Sequence, residues 1–249
     1  MAVISNLKII LNTEDKKLLH TFAKKTFINF SKYLVDFFRF SLIDRRYIEK
    51  FIKIEGREYL NGAFRKGNGA IALSGHVGNW ELAGVVTAYL GCSVNAVALS
   101  HKDKRINDFF VKQRESKGVK VIPLGVAVRR CFSALKNNEL IGLLGDRDFG
   151  SSGIIVEFLG KKVKMPKGPA IFSSKLGSPI VPTFLMRQED DTYKMIYQKP
   201  VECLLAGNEE EDLLRLTKKC VSVIEDMIKQ YPDQWFMFRE FWKEDANKV

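Results

Sequence analysis

The stretch at residues 69–82, GAIALSGHVGNWEL, contains the residues with the clearest chemical potential. An apolar run typical of a buried strand leads into His76, and Glu81 follows five positions later, where a helix is predicted to begin. Residues five apart do not share one helix face, but a tight turn through Gly75 and Gly78 can bring both side chains together. A carboxylate on one imidazole nitrogen leaves the other nitrogen able to accept a proton. The pattern therefore predicts His76 as a general base and Glu81 as its partner.

Backbone groups in the same turn are further candidates. The N–H groups around Gly78 and Asn79, at the start of the predicted helix, are expected to bind substrate or to stabilise a negatively charged oxygen. From spacing alone, a turn histidine with satisfied hydrogen bonds is the competing interpretation. His20, in a charged helix, and His101, in the basic loop SHKDKR, are weaker candidates for a base.

The elements that must position these residues fall into two parts. Residues 14–52 are predicted to be helical, with nine aromatic residues between Phe22 and Phe51 and many Lys and Arg among them. Two interpretations stay open: a helix lying in a lipid headgroup layer, or a helix packing its apolar face on the protein core. The apolar stripe at helical spacing consists of Phe30, Tyr33, Leu34, Phe37 and Phe38.

After residue 69 short apolar strands alternate with helices. This predicts an α/β domain with a mixed, largely parallel central sheet flanked by helices, whose ligands bind at the carboxyl ends of the strands. We expect one domain over 1–249, with an amphipathic basic front end at 1–66 and a catalytic core at 67–249. The predicted strands are 70–74, 95–99, 119–123, 140–144, 154–158, 180–185 and 193–198, and the predicted helices are 80–90, 106–116, 126–136, 169–176 and 209–231.

Charge and composition narrow the partners. The formal net charge is +11, and residues 1–66 contribute +7 of it, which suits nucleic acid, anionic lipid, an acidic protein or simple solubility. No uncharged apolar run approaches the ~20 residues that span a bilayer. The four cysteines are scattered without a CxxC pair, so neither a zinc site nor a disulfide framework is expected, and reduced thiols in a cytosolic compartment are favoured.

The sequence GHVGNWE resembles the H-x-x-x-x-D/E motif of glycerolipid acyltransferases. It is closer still to the H-x-G-N-W-E form of the late (secondary) acyltransferases of lipid A biosynthesis, a branch that includes phosphatidylinositol mannoside acyltransferases. The resemblance implies a glycerolipid acyltransferase-like fold. It also implies that His76 acts as base on the acceptor hydroxyl and that Glu81 orients the imidazole.

Further motifs match in the same order, from about residue 70 to residue 243. RINDFFVKQRESKGVKVIP places the family's arginine at Arg114, which can stabilise negative charge or bind a phosphate. GLLGDRDFG places the family's aspartate at Asp146, where it can hold Arg114 or the histidine region, and puts Arg147 where the family has Gln. FLGKKVKMPKGP supplies Lys167 and Gly168 at a helix start that favours anions. The chain ends on PDQWFMFREFWK, like the family's closing Trp-containing segment.

By resemblance, an acyl thioester on acyl carrier protein or coenzyme A is the donor, and a lipid or glycolipid, lipid A-like, is the acceptor. No cofactor or metal is expected. The family's N-terminal hydrophobic anchor has no match in the given sequence, so either that segment has been removed or the protein binds peripherally. For the chain as given we expect peripheral binding to an anionic membrane, on the cytoplasmic face of the inner membrane. Two alternatives stay open. One is a metal-dependent hydrolase using His76, Glu81, Asp146 and Asp148; the other is a non-catalytic lipid-binding module, since no nucleic-acid signature is present.

Overall fold

The front of the chain folds as several elements, among them the 23-residue helix α2 (Lys16–Phe38), instead of the single helix predicted over 14–52. The computed structural model describes residues 2–148, 153–202 and 207–246, excluding the side chains of 244–246; Cys203 lies outside these ranges. The predicted helix is divided because α2 stops at Phe38 and the Asp44 side chain accepts a hydrogen bond from the backbone N–H of Tyr47, which starts a new helix. The front elements are α1 (Ala2–Leu11), α2 (Lys16–Phe38), a 3₁₀ turn (Phe40–Leu42), α3 (Arg45–Phe51), β1 (Ile52–Glu55) and α4 (Arg57–Phe64).

Within the described residues, seven strands form the central sheet. Besides β1, they are β2 (Ala70–Ser74), β3 (Val94–Ala98), β4 (Val119–Pro123), β5 (Leu140–Leu144), β8 (Ile180–Arg187) and β9 (Tyr193–Tyr197). Their order across the sheet is β1-β9-β8-β2-β5-β3-β4. All neighbouring strands pair in parallel except β8 and β9, which are antiparallel. A mixed, largely parallel sheet is therefore confirmed.

Helices cover both faces of this sheet, and a separate hairpin follows β5. The hairpin strand β7 (Lys161–Met165) includes Lys161, Lys162 and Lys164. The hairpin consists of β6 (Ile154–Phe158) and β7 (Lys161–Met165). The remaining helices are α5 (Trp80–Tyr89), α6 (Lys104–Glu115), α7 (Ala127–Lys136), α8 (Gly168–Leu176), α9 (Glu209–Gln230) and α10 (Phe241–Ala246).

Side-chain alternation divides the core into two layers. In β2, Ile71 and Leu73 point into the layer that contains α7, α8 and α9, whereas Ala70 and Ala72 point into the layer that contains α5. This arrangement follows from the pattern of a strand buried on both faces, which is apolar throughout. The small residues on the α5 side leave room between that helix and the sheet, which bears on the site below.

The apolar stripe of α2 packs mainly on the protein. Tyr33 and Phe37 are buried, whereas Phe38 is 55% exposed. The packing interpretation therefore accounts for most of the stripe, and an orientation of α2 in a lipid layer stays a prediction. No helix in the described part of the chain is both long and apolar enough to cross a membrane.

Candidate active site

His76 and Asp146 meet where two adjacent parallel strands end. Ser74, at the end of β2, is in register with Leu144, at the end of β5, so the loops that follow start side by side. The His76 Nδ1 atom lies 2.7 Å from one carboxylate oxygen of Asp146. The backbone N–H of His76 donates to the other oxygen at 2.8 Å. Strand register therefore brings together an imidazole and a carboxylate that are 70 residues apart in sequence.

A third donor completes the surroundings of Asp146. The indole N–H of Trp235 donates to the same oxygen as the His76 backbone, at 2.9 Å, and Asp146 has no exposed surface. Burial alone would raise the pKa of Asp146, but the charge and hydrogen bonds of His76 and the Trp235 hydrogen bond lower it to about 2. Asp146 is therefore a carboxylate at neutral pH, and it holds the ring so that Nδ1 carries a proton. No residue that the structure describes is hydrogen-bonded to the opposite nitrogen, Nε2.

The expected contact between His76 and Glu81 is wrong. Both Glu81 oxygens are bound by Arg114, whose Nε and Nη2 donate at 2.8 Å and 2.6 Å. The two side chains are only 11–12% exposed, so this two-point ion pair is largely shielded from solvent. Glu81 lies in the first turn of α5, facing α6 instead of the imidazole. Its catalytic role stays a prediction, and its direct partner is Arg114.

The backbone at Gly78 and Asn79 serves the fold. The N–H of Gly78 donates to the Gln234 carbonyl at 2.9 Å, and the N–H of Asn79 donates to the Leu185 carbonyl at 2.8 Å. Both donors are already used within the fold, and a role of Gly78 and Asn79 in binding an oxyanion or substrate stays a prediction. Gly78 has φ of +66°, and a Cβ there would lie 2.3 Å from the Leu185 oxygen, so only glycine fits. The motif glycine thus allows the turn to lie against β8.

Asn79 ties the same turn to the front helix. The side-chain oxygen of Asn79 accepts a hydrogen bond from the Leu82 N–H and so caps α5, and the side-chain NH₂ group donates to Asp36 at 3.2 Å. Asp36, on α2, also binds Arg187 and the hydroxyl of Tyr193. The sequence alone gives no sign that Asp36, Arg187 and Tyr193 form a cluster, because no local spacing links three separate elements.

A cavity of about 660 Å³ adjoins the His76 imidazole. It has two branches, one on each face of the sheet, which meet around the carboxyl ends of β3 and β5. The first branch lies between α5 and the sheet and is lined mainly by small residues, Ala72, Ala83, Gly84, Ala96 and Gly142. It reaches Val94, Val119 and Leu140, at the opposite ends of their strands, and each of these is at most 3% exposed. The first branch is therefore an apolar channel that is closed at its far end.

The polar groups of the first branch are satisfied within the protein. The Thr87 hydroxyl donates to the Ala83 carbonyl at 2.8 Å, and the Thr183 hydroxyl donates to the Val181 carbonyl at 3.0 Å. Because these donors are used internally, the channel presents an apolar lining. A saturated hydrocarbon chain matches that lining.

The second branch lies on the other face, between α7 and α8. Val97 and Leu143 contribute the sheet side of this branch, and Val128, at its rim, is 67% exposed. Unlike the first branch, the second therefore opens to the surface. Its helix residues include Ala127, Cys131, Pro169, Ile171 and Phe172.

The other predicted site residues are distributed around the cavity. Arg114, Arg147 and Gly168 line it, whereas Lys167 is the residue that precedes α8 and is not in the lining. Arg147 donates to the Phe236 carbonyl at 3.0 Å, so the arginine at the family's Gln position ties the C-terminal segment to the end of β5. Asp148 also lines the cavity. Within the described ranges, no group of three or more His, Cys, Asp or Glu side chains is placed to share a metal ion.

Comparison with known proteins decides the family. The profile of the bacterial lipid A biosynthesis acyltransferase family matches residues 2–244. The chain belongs to this family. It is an acyltransferase that acts on lipid-like acceptors, and the hydrolase and pure binding alternatives are set aside.

The named relatives that the chain matches are acyltransferases as well. The phosphatidylinositol mannoside acyltransferase of Mycobacterium tuberculosis (strain ATCC 25618 / H37Rv) is 26% identical over 226 residues, covering 88% of this chain and 70% of the relative. That of Mycolicibacterium smegmatis is 26% identical over 246 residues, covering 97% of this chain and 79% of the relative. The acyltransferase assignment thus rests on matches that span nearly the whole chain.

Proposed function

We propose that this acyltransferase moves a fatty acyl group from a thioester, carried by acyl carrier protein or coenzyme A, to a hydroxyl of a membrane glycolipid. The observation that carries the proposal is the His76–Asp146 pair beside a closed apolar channel. The pair supplies a base, and the channel supplies a place for a hydrocarbon chain. The names of the family and of its mycobacterial relatives both denote glycolipid substrates, which supports the choice of acceptor.

The reaction follows from the protonation state of the imidazole. Asp146 keeps the ring proton on Nδ1, so Nε2 of His76 accepts the proton of the acceptor hydroxyl. The acceptor oxygen attacks the thioester carbonyl, and the C–O bond forms while the carbonyl oxygen becomes negatively charged. When this intermediate collapses, the C–S bond breaks, and the imidazolium returns its proton to the leaving thiolate. An ester and a free thiol result, without an acyl-enzyme.

The two branches of the cavity divide the substrates. The closed first branch suits the donor chain, because a chain inserted to the far end places its carbonyl at the open end near His76. β3 has five residues, and at ~3.3 Å per residue the four steps correspond to a depth of roughly 13 Å. The open second branch suits the acceptor, whose own apolar part enters from the surface beside Val128.

The exposed surface beside the cavity, which we call the rim, favours a peripheral position on an anionic membrane. Phe38 and Phe109 are 55% and 40% exposed, and their rings lie 5.8 Å apart. Leu99, which lines the cavity, is 60% exposed. Exposed basic residues on or beside α2, α6 and α7 would attract anionic headgroups or an acidic carrier protein; they are Arg39, Lys102, Lys112, Arg129 and Arg130. We place the enzyme at the cytoplasmic face of the inner membrane, where acyl thioesters are available.

A direct assay tests the proposal. Purified protein is incubated with long-chain acyl-CoA or acyl carrier protein thioester and a glycolipid acceptor, and the products are identified by mass spectrometry. We expect one added acyl ester, lost in His76→Ala and retained in the control His20→Ala, whose ring lies on the exposed face of α2. Full transfer by His76→Ala would refute the assignment of the base. Absence of any acyl-ester product with either donor would refute the proposed function.

A further inference from the structure

The phenol ring of Tyr33 lies one aromatic ring away from the imidazole. Tyr33 is on α2 and only 8% exposed, and its ring centroid lies 4.6 Å from that of Trp80. The Trp80 ring in turn lies 5.1 Å from the His76 ring, nearly edge-on. Tyr33, Trp80 and His76 all line the cavity. The front helix therefore contributes a side chain to the site.

The hydroxyl of Tyr33 has no hydrogen-bond partner in the described part of the chain. The other two deeply buried tyrosines differ in this respect. Tyr193 binds Asp36 and Arg187, and the Tyr197 hydroxyl lies 2.8 Å from that of Thr87. The Tyr33 ring is mostly buried, but its hydroxyl oxygen is not among the fully enclosed unpaired polar atoms of the described residues, so it keeps accessible surface where the residue borders the cavity. A hydroxyl that borders a substrate cavity, is accessible and has no protein partner is a candidate substrate contact.

The surroundings keep this phenol protonated. Burial and the nearby Glu81 carboxylate raise the pKa of Tyr33 well above its ordinary value, against a smaller opposing effect of Arg114. At any pH at which the enzyme works, the group is an O–H donor. It is also close enough to Arg114 for the two to act on the same region of the cavity.

We infer that the Tyr33 hydroxyl donates a hydrogen bond to the thioester carbonyl oxygen as that oxygen becomes negatively charged. This inference rests on the proposed acyl transfer. The nearby backbone N–H groups of His76, Gly78 and Asn79 are already used within the fold, so they do not supply this contact. The hydroxyl of the acceptor lipid donates its own proton to Nε2 of His76. It therefore needs a hydrogen-bond acceptor, and a neutral phenol is not required there as a donor. The carbonyl oxygen is the reacting atom that a neutral phenol best serves.

The test is Tyr33→Phe, which removes only the hydroxyl. The matched control is Tyr59→Phe, which removes a hydroxyl from a half-exposed ring on α4. Loss of one oxyanion donor typically lowers kcat by about 10²–10³-fold, and we expect a decrease in the lower part of that range, with both KM values unchanged. Slow hydrolysis of the acyl thioester without acceptor should fall by the same factor, because it passes through the same oxyanion.

Three results would overturn the inference: an unchanged kcat, an effect confined to the KM of the acceptor, or a loss of activity matched by a lower unfolding temperature. A lower kcat with wild-type unfolding and KM supports it. Wild-type and His76→Ala rates are measured in parallel. Absence of acyl-ester product in the wild type would count against the proposed function, and equal transfer by the wild type and His76→Ala would count against the base. A wild-type rate in Tyr33→Phe counts only against Tyr33.

Discussion

Replacing Asp146 with asparagine tests whether the carboxylate sets the imidazole tautomer. One Asp146 oxygen accepts from both the His76 backbone N–H and the Trp235 indole N–H, and the other accepts from Nδ1 of His76. An asparagine oxygen best occupies the position that faces two donors, which puts its NH₂ group against Nδ1. Nδ1 must then accept a hydrogen bond, so the ring proton moves to Nε2. With Nε2 protonated, the base is lost although the fold of the turn is kept.

The Asp146→Asn substitution is expected to change both the rate of acyl transfer and the pH dependence of stability. General-base catalysis is worth about 10²–10⁴-fold in rate, so kcat should fall within that range while substrate KM values change little. The pKa of Asp146 is lowered from 3.8 to about 2, which corresponds to stabilisation on the order of 2 kcal/mol at neutral pH. Because the folded pKa is depressed, this stabilisation is present above about pH 4 and is lost as the pH falls to about 2.

Two measurements check both changes. Acyl transfer rates give kcat, and urea unfolding at several pH values gives the free energy of unfolding. The wild-type protein should lose more stability between pH 4 and pH 2 than Asp146→Asn does. Asp212→Asn, at a buried aspartate in the first turn of α9, is the control and should retain wild-type kcat. A wild-type kcat in Asp146→Asn would refute the argument that the carboxylate fixes the tautomer.

Three further predictions concern the ion pair, the channel and the rim. Arg114→Lys removes the two-point contact with Glu81 and should lower the free energy of unfolding by about 1.5–3 kcal/mol in urea; an unchanged midpoint would contradict a buried pair. A Cβ at Gly84 would meet Val119 at no less than 3.6 Å, so Gly84→Ala should fold, and Gly84→Leu should shift activity toward shorter acyl donors. An unchanged chain-length profile would argue against donor binding under α5, and Gly62→Ala, on α4, is the control for a helical glycine. Phe38→Ser with Phe109→Ser should weaken binding to anionic vesicles in flotation, and equal binding would place the membrane surface elsewhere.

Local sequence determines the elements of this enzyme. Every strand and helix predicted after residue 69 is present, with ends that shift by at most two residues. This agreement arises because the spacing of apolar residues, about two in a strand and 3.6 in a helix, is visible within a short stretch of sequence. The turn around His76 was also predictable, since strand, glycine, polar residue and helix start are contiguous. Elements whose signal is weak, such as β1 with four residues, were missed.

Tertiary structure alone decided which charged groups meet. His76 and Glu81 are near in sequence, but the direction of α5 sends Glu81 to Arg114, 33 residues away. Strand register brings Asp146 to His76 instead, which decides between the two partners, Arg114 and the histidine region, that the sequence had left open for Asp146. Trp235 completes that contact from a segment 89 residues beyond Asp146. The hydroxyl of Tyr33 borders the cavity because α2 packs on Trp80. Periodicity specifies which face of an element is apolar, whereas the partner of a polar side chain depends on how distant elements pack.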